Sequence, residues 1–341
     1  MIIKNLSLKA ANYKMVNKLK SSNFTHNIRN SWIIKIEDND GFIGYGEASP
    51  LPSFNRESFE EAGYCLEGFK LAIRDINEPI SIEELIILSN VHTLTAPSAT
   101  FAIQTALYDL LSTKNNQSLS NFINSNSLSS VQSNGIYNLT SINNYKVIKL
   151  KCGFRNLYDE IELLESLSTK YSNVRFIIDL NQAYDLPKAI RFFKEISKFR
   201  IEYIEQPIEK NNFEDLIELS FHSEIPIALD ESIKSLKSIN KALSINCGDV
   251  FIIKPQSIGS FANIKKAISL VREGGKIPII TSSLEGSIGR LATMHVVSAN
   301  LIKNNCGLLM EPIYYGEEEV IPKINNGILD IPNKVGLGYY K

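Results

Sequence analysis

VIKLK at residues 147–151 opens a series of apolar runs that each close on a charged side chain. FIID (176–179), YIE (203–205), IALD (227–230) and FIIK (251–254) continue it. The closing residues Lys151, Asp179, Glu205, Asp230 and Lys254 recur at intervals of 24 to 28 positions, the length of one strand–helix unit. A charge at the end of a buried strand is costly unless it is paired, metal-bound or solvated in a site. Five successive strand ends in the order Lys, Asp, Glu, Asp, Lys therefore point to one shared site.

Working outward, residues 134–310 read as strand, helix, strand, helix. Strands are predicted at 135–138, 147–151, 175–180, 203–205, 225–229, 250–254, 278–282 and 307–310. Between them lie helical stripes such as Leu157, Ile161, Leu164 and Leu167. In 185–199, Asp185 is placed to cap a helix, Pro187 suits its first turn, and Ala189, Phe192, Phe193 and Ile196 form a buried face. This alternation means a parallel sheet with right-handed crossovers. A doubly wound sheet gathers ligand groups at one switch point. Polar residues at five consecutive strand ends fit a closed barrel, which collects them around one mouth.

The first third reads differently. Residues 31–48 look like two strands joined by a turn at Asp38 to Gly41. Ser58 with Glu61 and Ser81 with Glu84 are capping-box pairs, and a third helix follows Pro97. Strands followed by helices suggest an α+β domain over 1–115. The Asn/Ser-rich segment 115–133 reads as a domain junction, or else as a surface loop with a short helix. The barrel domain then spans 116–310.

Asp179, Glu205 and Asp230 offer three hard oxygen ligands without Cys or His, a set that suits Mg²⁺, with Mn²⁺ as substitute. Any one of them alone could equally be a helix N-cap. Lys149 and Lys151 lie two apart, so they share a face of their strand. Alone they would read as a solvated strand face. Inside a barrel, their mutual repulsion and a nearby cation would lower a lysine pKa, as a base requires. Lys254 approaches from the far side of the ring. The layout suits removal of a proton α to a metal-held carboxylate.

These residues resemble the enolase superfamily, in its muconate-lactonizing-enzyme-like branch, whose lysine or histidine base and Mg²⁺ are a known pattern. The resemblance runs through GYGEASPLP, PSATFAIQTALYDL, the KxK of 149–151, DLNQAY, IEQP, ALDES, IKP and VGLG. It implies a modified TIM barrel of the (β/α)7β type. An N-terminal α+β capping domain is completed by a C-terminal tail, residues 311–341. By position, Asp179, Glu205 and Asp230 would be metal ligands, Lys151 the base, Lys254 the opposing cation, and Lys149 the residue that tunes Lys151. Two stretches are most similar to the o-succinylbenzoate synthase family: GEASPLPSFNRES (46–58) and TSSLEGSIGR (281–290). They imply syn elimination of water from a succinyl-hydroxycyclohexadiene carboxylate. Ser282 and Ser283, with their backbone N–H groups, and Asn181 would contact that substrate. A capping loop near 15–28 would bring Lys18, Lys20 or Arg29 towards its succinyl carboxylate. DLNQ and VGLG depart from the commoner DANG and PGLG.

Dipeptide epimerases and N-acylamino acid racemases share this scaffold. Epimerases of the branch tend to carry DxD at the eighth strand, where this chain reads GLLMEPIYYG with Glu311 as the nearby acid. A non-catalytic barrel would have let these positions erode. Composition adds exclusions. Net charge is −1 and no basic stripe recommends nucleic acid as a partner. No apolar run approaches the roughly 20 residues of a membrane span. The start of the chain lacks the pattern of a secretory signal. Four cysteines without a CxxC pair fit a reduced cytoplasmic protein, and four histidines, none closing a strand run, speak against a histidine base or a histidine-rich zinc site; the partner that the resemblance implies is a small carboxylate.

Overall fold

A computed structural model of the protein describes residues 1–20, 25–51, 54, 57–317 and 320–339, with side chains for all of these except 17–20 and 25–27. Three antiparallel strands come first: β1 (Ile3–Lys20), β2 (Thr25–Asp38) and β3 (Ile43–Ala48). The turn at Asp38 to Gly41 forms as expected, and Asp38 Oδ1 accepts from the N–H groups of Asp40 and Phe42. Strand β1, unread in the sequence, pairs with β2 along nearly its whole length. Helices α1 (Phe59–Arg74), α2 (Ile82–His92) and α3 (Pro97–Lys114) pack beneath, the first two with the expected capping boxes. Gly44 and Gly46 explain the GYG spacing. A Cβ on either would meet the backbone of α3 within 2.0 Å, so only glycine lets β3 lie so close to that helix.

The segment read as a junction, or as a surface loop with a short helix, holds two short elements. It contains α4 (Leu119–Ile123) and β4 (Ser130–Gln132), and Leu119 and Ser120 are buried. The barrel follows as β5 (Gly135–Ile136), β6 (Val147–Lys151), α5 (Leu157–Lys170), β7 (Arg175–Asp179), α6 (Leu186–Ile196), β8 (Ile201–Glu205) and α7 (Phe213–Ser220). It continues with β9 (Ile227–Leu229), α8 (Leu236–Ser244), β10 (Val250–Ile253), α9 (Pro255–Ile258), α10 (Phe261–Glu273), β11 (Ile277–Ile280) and α11 (Ser287–Ala299). Strands β5 to β11 form one parallel sheet in chain order. The eighth strand expected at 307–310 shrinks to two single bridges, Cys306 to Ser133 and Gly307 to Thr281. They join the last strand to the start of the first, so the sheet curls into a barrel.

Period-two alternation sorts each strand. Ile148, Leu150, Phe176, Ile178, Ile204 and Leu229 face the surrounding helices, while Val147, Ile177, Tyr203, Ala228, Ile252 and Ile279 form a separate cluster inside. Two residues beyond Val147, Ile177, Tyr203, Ala228 and Ile252 come Lys149, Asp179, Glu205, Asp230 and Lys254, and two beyond Ile279 comes Thr281. A dry plug thus supports the charged layer.

The C-terminal segment touches both parts of the chain. Strand β12 (Ile328–Asp330) pairs with β4, and Val16 N–H donates to Ile313 O. Leu337 N–H donates to Asp109 on α3. His295 on α11 accepts from Ser120 N–H at Nδ1, and its Nε2–H reaches Leu337 O at 3.3 Å. Burial lowers this imidazole from 6.5 to about 4. The unfolded chain therefore takes up the proton first. The stability from a neutral His295 is full above pH 6.5 and is lost as pH falls through about 4, a change of about 3 kcal/mol. Urea unfolding at pH 7 and pH 4.5 checks this, and a His295→Gln variant lacks that part of the acid sensitivity.

Candidate active site

The charged layer opens into a cavity of about 340 Å³ that Lys149, Lys151, Asp179, Glu205, Asp230 and Lys254 all line. Register places Lys151 beside Asp179 and Asp179 beside Glu205 across neighbouring strands. Lys149 Nζ lies 2.9 Å from Asp179 Oδ2 and 2.6 Å from Glu205 Oε1. Lys254 Nζ lies 2.6 Å from both Asp230 oxygens. Lys151 Nζ stands further off, 3.9 Å from Asp179 Oδ2, and donates to Asn181 Oδ1 at 3.3 Å.

The two lysines of β6 are driven apart in acidity. Burial would lower Lys149, but Asp179, Glu205 and Asp230 outweigh it and hold its ammonium well above the usual lysine range. Lys151 moves down, chiefly through burial, with smaller pushes from Lys149 and Lys254 against the pull of Asp179. The expectation had charge repulsion as the cause; desolvation ranks first. Asp179, although buried, is held below the ordinary carboxylate range by Lys149 and Lys151. Burial pushes Glu205 up to about 8, with Asp179 and Asp230 adding to the push and Lys149 opposing it.

Donor chemistry here fits a hard divalent cation: oxygens alone, from three adjacent strands, with Glu205 Oε2 buried and lacking a hydrogen-bond partner. Among the described residues no three acidic, imidazole or thiol groups converge as a ready ligand shell. The lysines account for this, because Lys149 and Lys254 hold the carboxylates.

Several neighbours were not read from the sequence. Gln206 of IEQP accepts from the N–H groups of Asp230 and Ser232 and donates to Ser232 Oγ, locking the strand end that carries Asp230. Glu231 lines the cavity and accepts from Asn181 Nδ2 at 3.2 Å. Phe54, from the capping domain, lies across the mouth with Lys254 Nζ 3.6 Å and Lys234 Nζ 4.4 Å from its ring centroid. Asn181, Gln182, Gln206, Leu284 and Leu309 have positive φ, so strained backbone gathers at this rim.

Ser282 and Ser283 line the cavity, but their N–H groups do not face a ligand. Ser282 N–H donates to Gly307 O, and Ser283 N–H to the Glu285 carboxylate. What remains is hydroxyl chemistry, and Ser283 Oγ is buried without a partner. Arg29 also departs from expectation. It is buried, and its guanidinium donates to Ser49 O, Pro50 O, Ser283 O and Leu284 O. It braces the two domains and cannot reach out to a carboxylate. Glu47 of GYGEA completes the joint by accepting from Gly286 and Gly289 N–H at the start of α11. The side chains of Lys18 and Lys20 lie outside the described residues.

Residues 136–340 match the model of the family described as enolase C-terminal domain-like. The chain belongs to the enolase superfamily. Within that superfamily it is 24% identical to o-succinylbenzoate synthase of Listeria innocua over 94% of this chain and 87% of the relative. It is also 24% identical to L-Ala-D/L-Glu epimerase of Clostridium acetobutylicum, over 99% and 98%. Its fold matches the dipeptide epimerase of Enterococcus faecalis V583, solved with Mg and L-Leu-L-Tyr, at TM-score 0.89 and 22% identity over all of both chains. Superfamily relatives with different reactions stand equally near, so the choice of reaction falls to the site. No helix among the described residues is long and apolar enough to cross a membrane.

Proposed function

We propose that this superfamily member is an o-succinylbenzoate synthase, a lyase that removes water from 2-succinyl-6-hydroxy-2,4-cyclohexadiene-1-carboxylate in menaquinone or phylloquinone biosynthesis. The observation that carries this reading is the unequal treatment of two lysines facing one cavity. Lys151 has its ammonium destabilised by burial and, among the described residues, one loose carboxylate contact. Lys254 is committed to both oxygens of Asp230 and covered by Phe54. One base and one fixed cation suit an elimination, whereas moving a proton from one face of a carbon to the other needs two bases.

Asp179, Glu205 and Asp230 would hold Mg²⁺, or Mn²⁺ in its place, which supplies positive charge to the carboxylate next to the reacting carbon. Mg named with the similar epimerase structure supports that choice. Lys151 as the free amine takes the α proton, leaving the electron pair in an enediolate. Lys254 faces the anion as a fixed ammonium. The ring C–O bond then breaks on the same face. The hydroxide leaves as water with the proton from Lys151, which returns to the free amine, and the ring becomes aromatic. Ser282, Ser283 and Asn181 contact the substrate at the rim. Among the described residues no carboxylate of the Gly307–Leu309 side lines the cavity, and Glu311 is not one of its lining residues. A substrate ammonium finds no partner there, which disfavours a dipeptide.

The test is loss of diene absorbance with purified protein and Mg²⁺. Conversion is expected, chelation should stop it, and Mg²⁺ or Mn²⁺ should restore it. Activity that survives exhaustive chelation would overturn the three-carboxylate assignment. No conversion, with α-proton exchange of N-succinyl amino acids in D₂O, would move the reading to racemisation.

A further inference from the structure

Three of the cavity's lysines are held unequally. Lys149 and Lys254 are each fixed by a carboxylate oxygen at 2.6 Å. Lys151 meets a carboxylate only at 3.9 Å, and its flexible four-carbon stem does not by itself fix where Nζ points. Among the described residues its hydrogen bond goes to Asn181 Oδ1, at 3.3 Å. The other end of that amide is engaged as well, since Asn181 Nδ2 donates to Glu231 Oε1 at 3.2 Å. Lys151 closes β6, Asn181 follows β7 and Glu231 follows β9, so the chain of contacts joins strand ends on both sides of β8. The backbone of Asn181 suits this place. Its φ of 41° lies in the left-handed region that asparagine tolerates, and its N–H donates to Asp179 Oδ1 at 3.1 Å.

We propose that Glu231 and Asn181 are positioning residues for Lys151: Glu231 fixes which end of the amide faces Nζ, and Asn181 Oδ1 then fixes where Nζ points. The inference rests on the reading of Lys151 as a base, whether for elimination or for racemisation. An amide has an accepting end and a donating end, and the Glu231 oxygen takes the donating one. Turned by half a rotation, the amide would set its oxygen against that carboxylate oxygen and its NH₂ against Nζ. The contact at Oδ1 needs only an N–H on Nζ, which amine and ammonium both carry, so it holds before and after proton transfer. A base must lie within reach of the proton it takes and in line with it, so this contact bears on rate more than on binding. The amide oxygen has two lone pairs and its nitrogen two hydrogens, so the role is compatible with a substrate contact at Asn181. Glu231 also lines the cavity, and kinetics separate positioning from direct binding.

The test compares Glu231→Gln with Glu231→Met, which remove the same charge while only glutamine keeps an oxygen for Asn181 Nδ2. In the diene assay kcat is expected to be about 10- to 100-fold lower in Glu231→Met than in Glu231→Gln, the cost of a misplaced reacting group. Calorimetric affinity of the Mg²⁺-loaded protein for o-succinylbenzoate should be alike in the two. Asn181→Gly removes the amide without strain, since glycine suits a φ of 41°, and should lose at least as much kcat. Glu231→Met should then add nothing to Asn181→Gly, because Glu231 acts through that amide. Equal kcat in the two Glu231 variants, or additive losses in the double variant, overturns the proposal and leaves the lyase reading intact. A raised KM with kcat unchanged in Glu231→Met also overturns it, by making Glu231 a binding residue. If the unaltered protein lacks lyase activity, the same comparison is read in α-proton exchange of N-succinyl amino acids in D₂O. The expected difference there keeps the pair while the lyase reading falls. Full activity of Lys151→Ala, or no activity of the unaltered protein in either assay, removes the base and the pair with it.

Discussion

Turnover is expected to fall by about 10²- to 10⁴-fold when Lys151 is replaced by alanine, the range that a positioned base contributes. The variant should remain folded. Asp179 keeps Lys149 at 2.9 Å and the N–H of Asn181 at 3.1 Å, so no buried carboxylate loses its last partner. Lys254→Ala should be as inactive for a different reason. It removes the charge that faces the enediolate, and it also frees both oxygens of Asp230. Divalent-ion binding should therefore be undiminished or tighter in Lys254→Ala and little changed in Lys151→Ala. Steady-state rates and ion titration of the two variants check this together. Residual activity near that of the unaltered protein in Lys151→Ala would remove it as the base. Loss of ion binding there would place the defect in the carboxylate layer.

The parts of this arrangement that could be read from the chain are those written within one strand. A parallel strand buried on both faces is a continuous apolar run, and a charge closing such a run stands out. Lys149, Lys151, Asp179, Glu205, Asp230 and Lys254 were all legible on that ground, and the fold brings them into one cavity. Helix starts were equally local, as Ser58, Ser81 and Asp185 each cap through a contact three residues away. Strand β1 was not legible because its exposed, lysine- and asparagine-rich sequence carries little apolar pattern; its pairing with β2 defines it. The eighth strand was overread, since GLLM is apolar but only Cys306 and Gly307 find bridging partners. Phe54, Glu231 and Gln206 gain their meaning from neighbours brought close by folding. Arg29 is the sharpest case, a positive charge near a suspected substrate loop whose partners lie as far as 255 residues along the chain.

That brace leads to the second large effect. Arg29→Met is expected to destabilise the protein by about 3–5 kcal/mol, the cost of breaking a buried charged network. Its guanidinium holds four carbonyls at 2.5 to 3.1 Å, and methionine fills the space but leaves all four without this donor. Two of those carbonyls, Ser49 and Pro50, precede the segment that carries Leu51 and Phe54 over the mouth. The other two, Ser283 and Leu284, belong to the opposite cavity wall. One side chain thus sets the distance between lid and wall, and its loss should reduce activity even below the melting transition. Arg29→Lys separates the two roles of charge and shape. An ammonium keeps the charge, but three donors at one point cannot span four carbonyls from two domains. It should recover only part of the stability. If Arg29→Lys matches the unaltered protein in urea midpoint and turnover, the forked geometry is irrelevant. If Arg29→Met unfolds at the same urea concentration as the unaltered protein, the capping domain is held to the barrel by other contacts, of which Glu47 on the N–H groups of Gly286 and Gly289 is the next to remove.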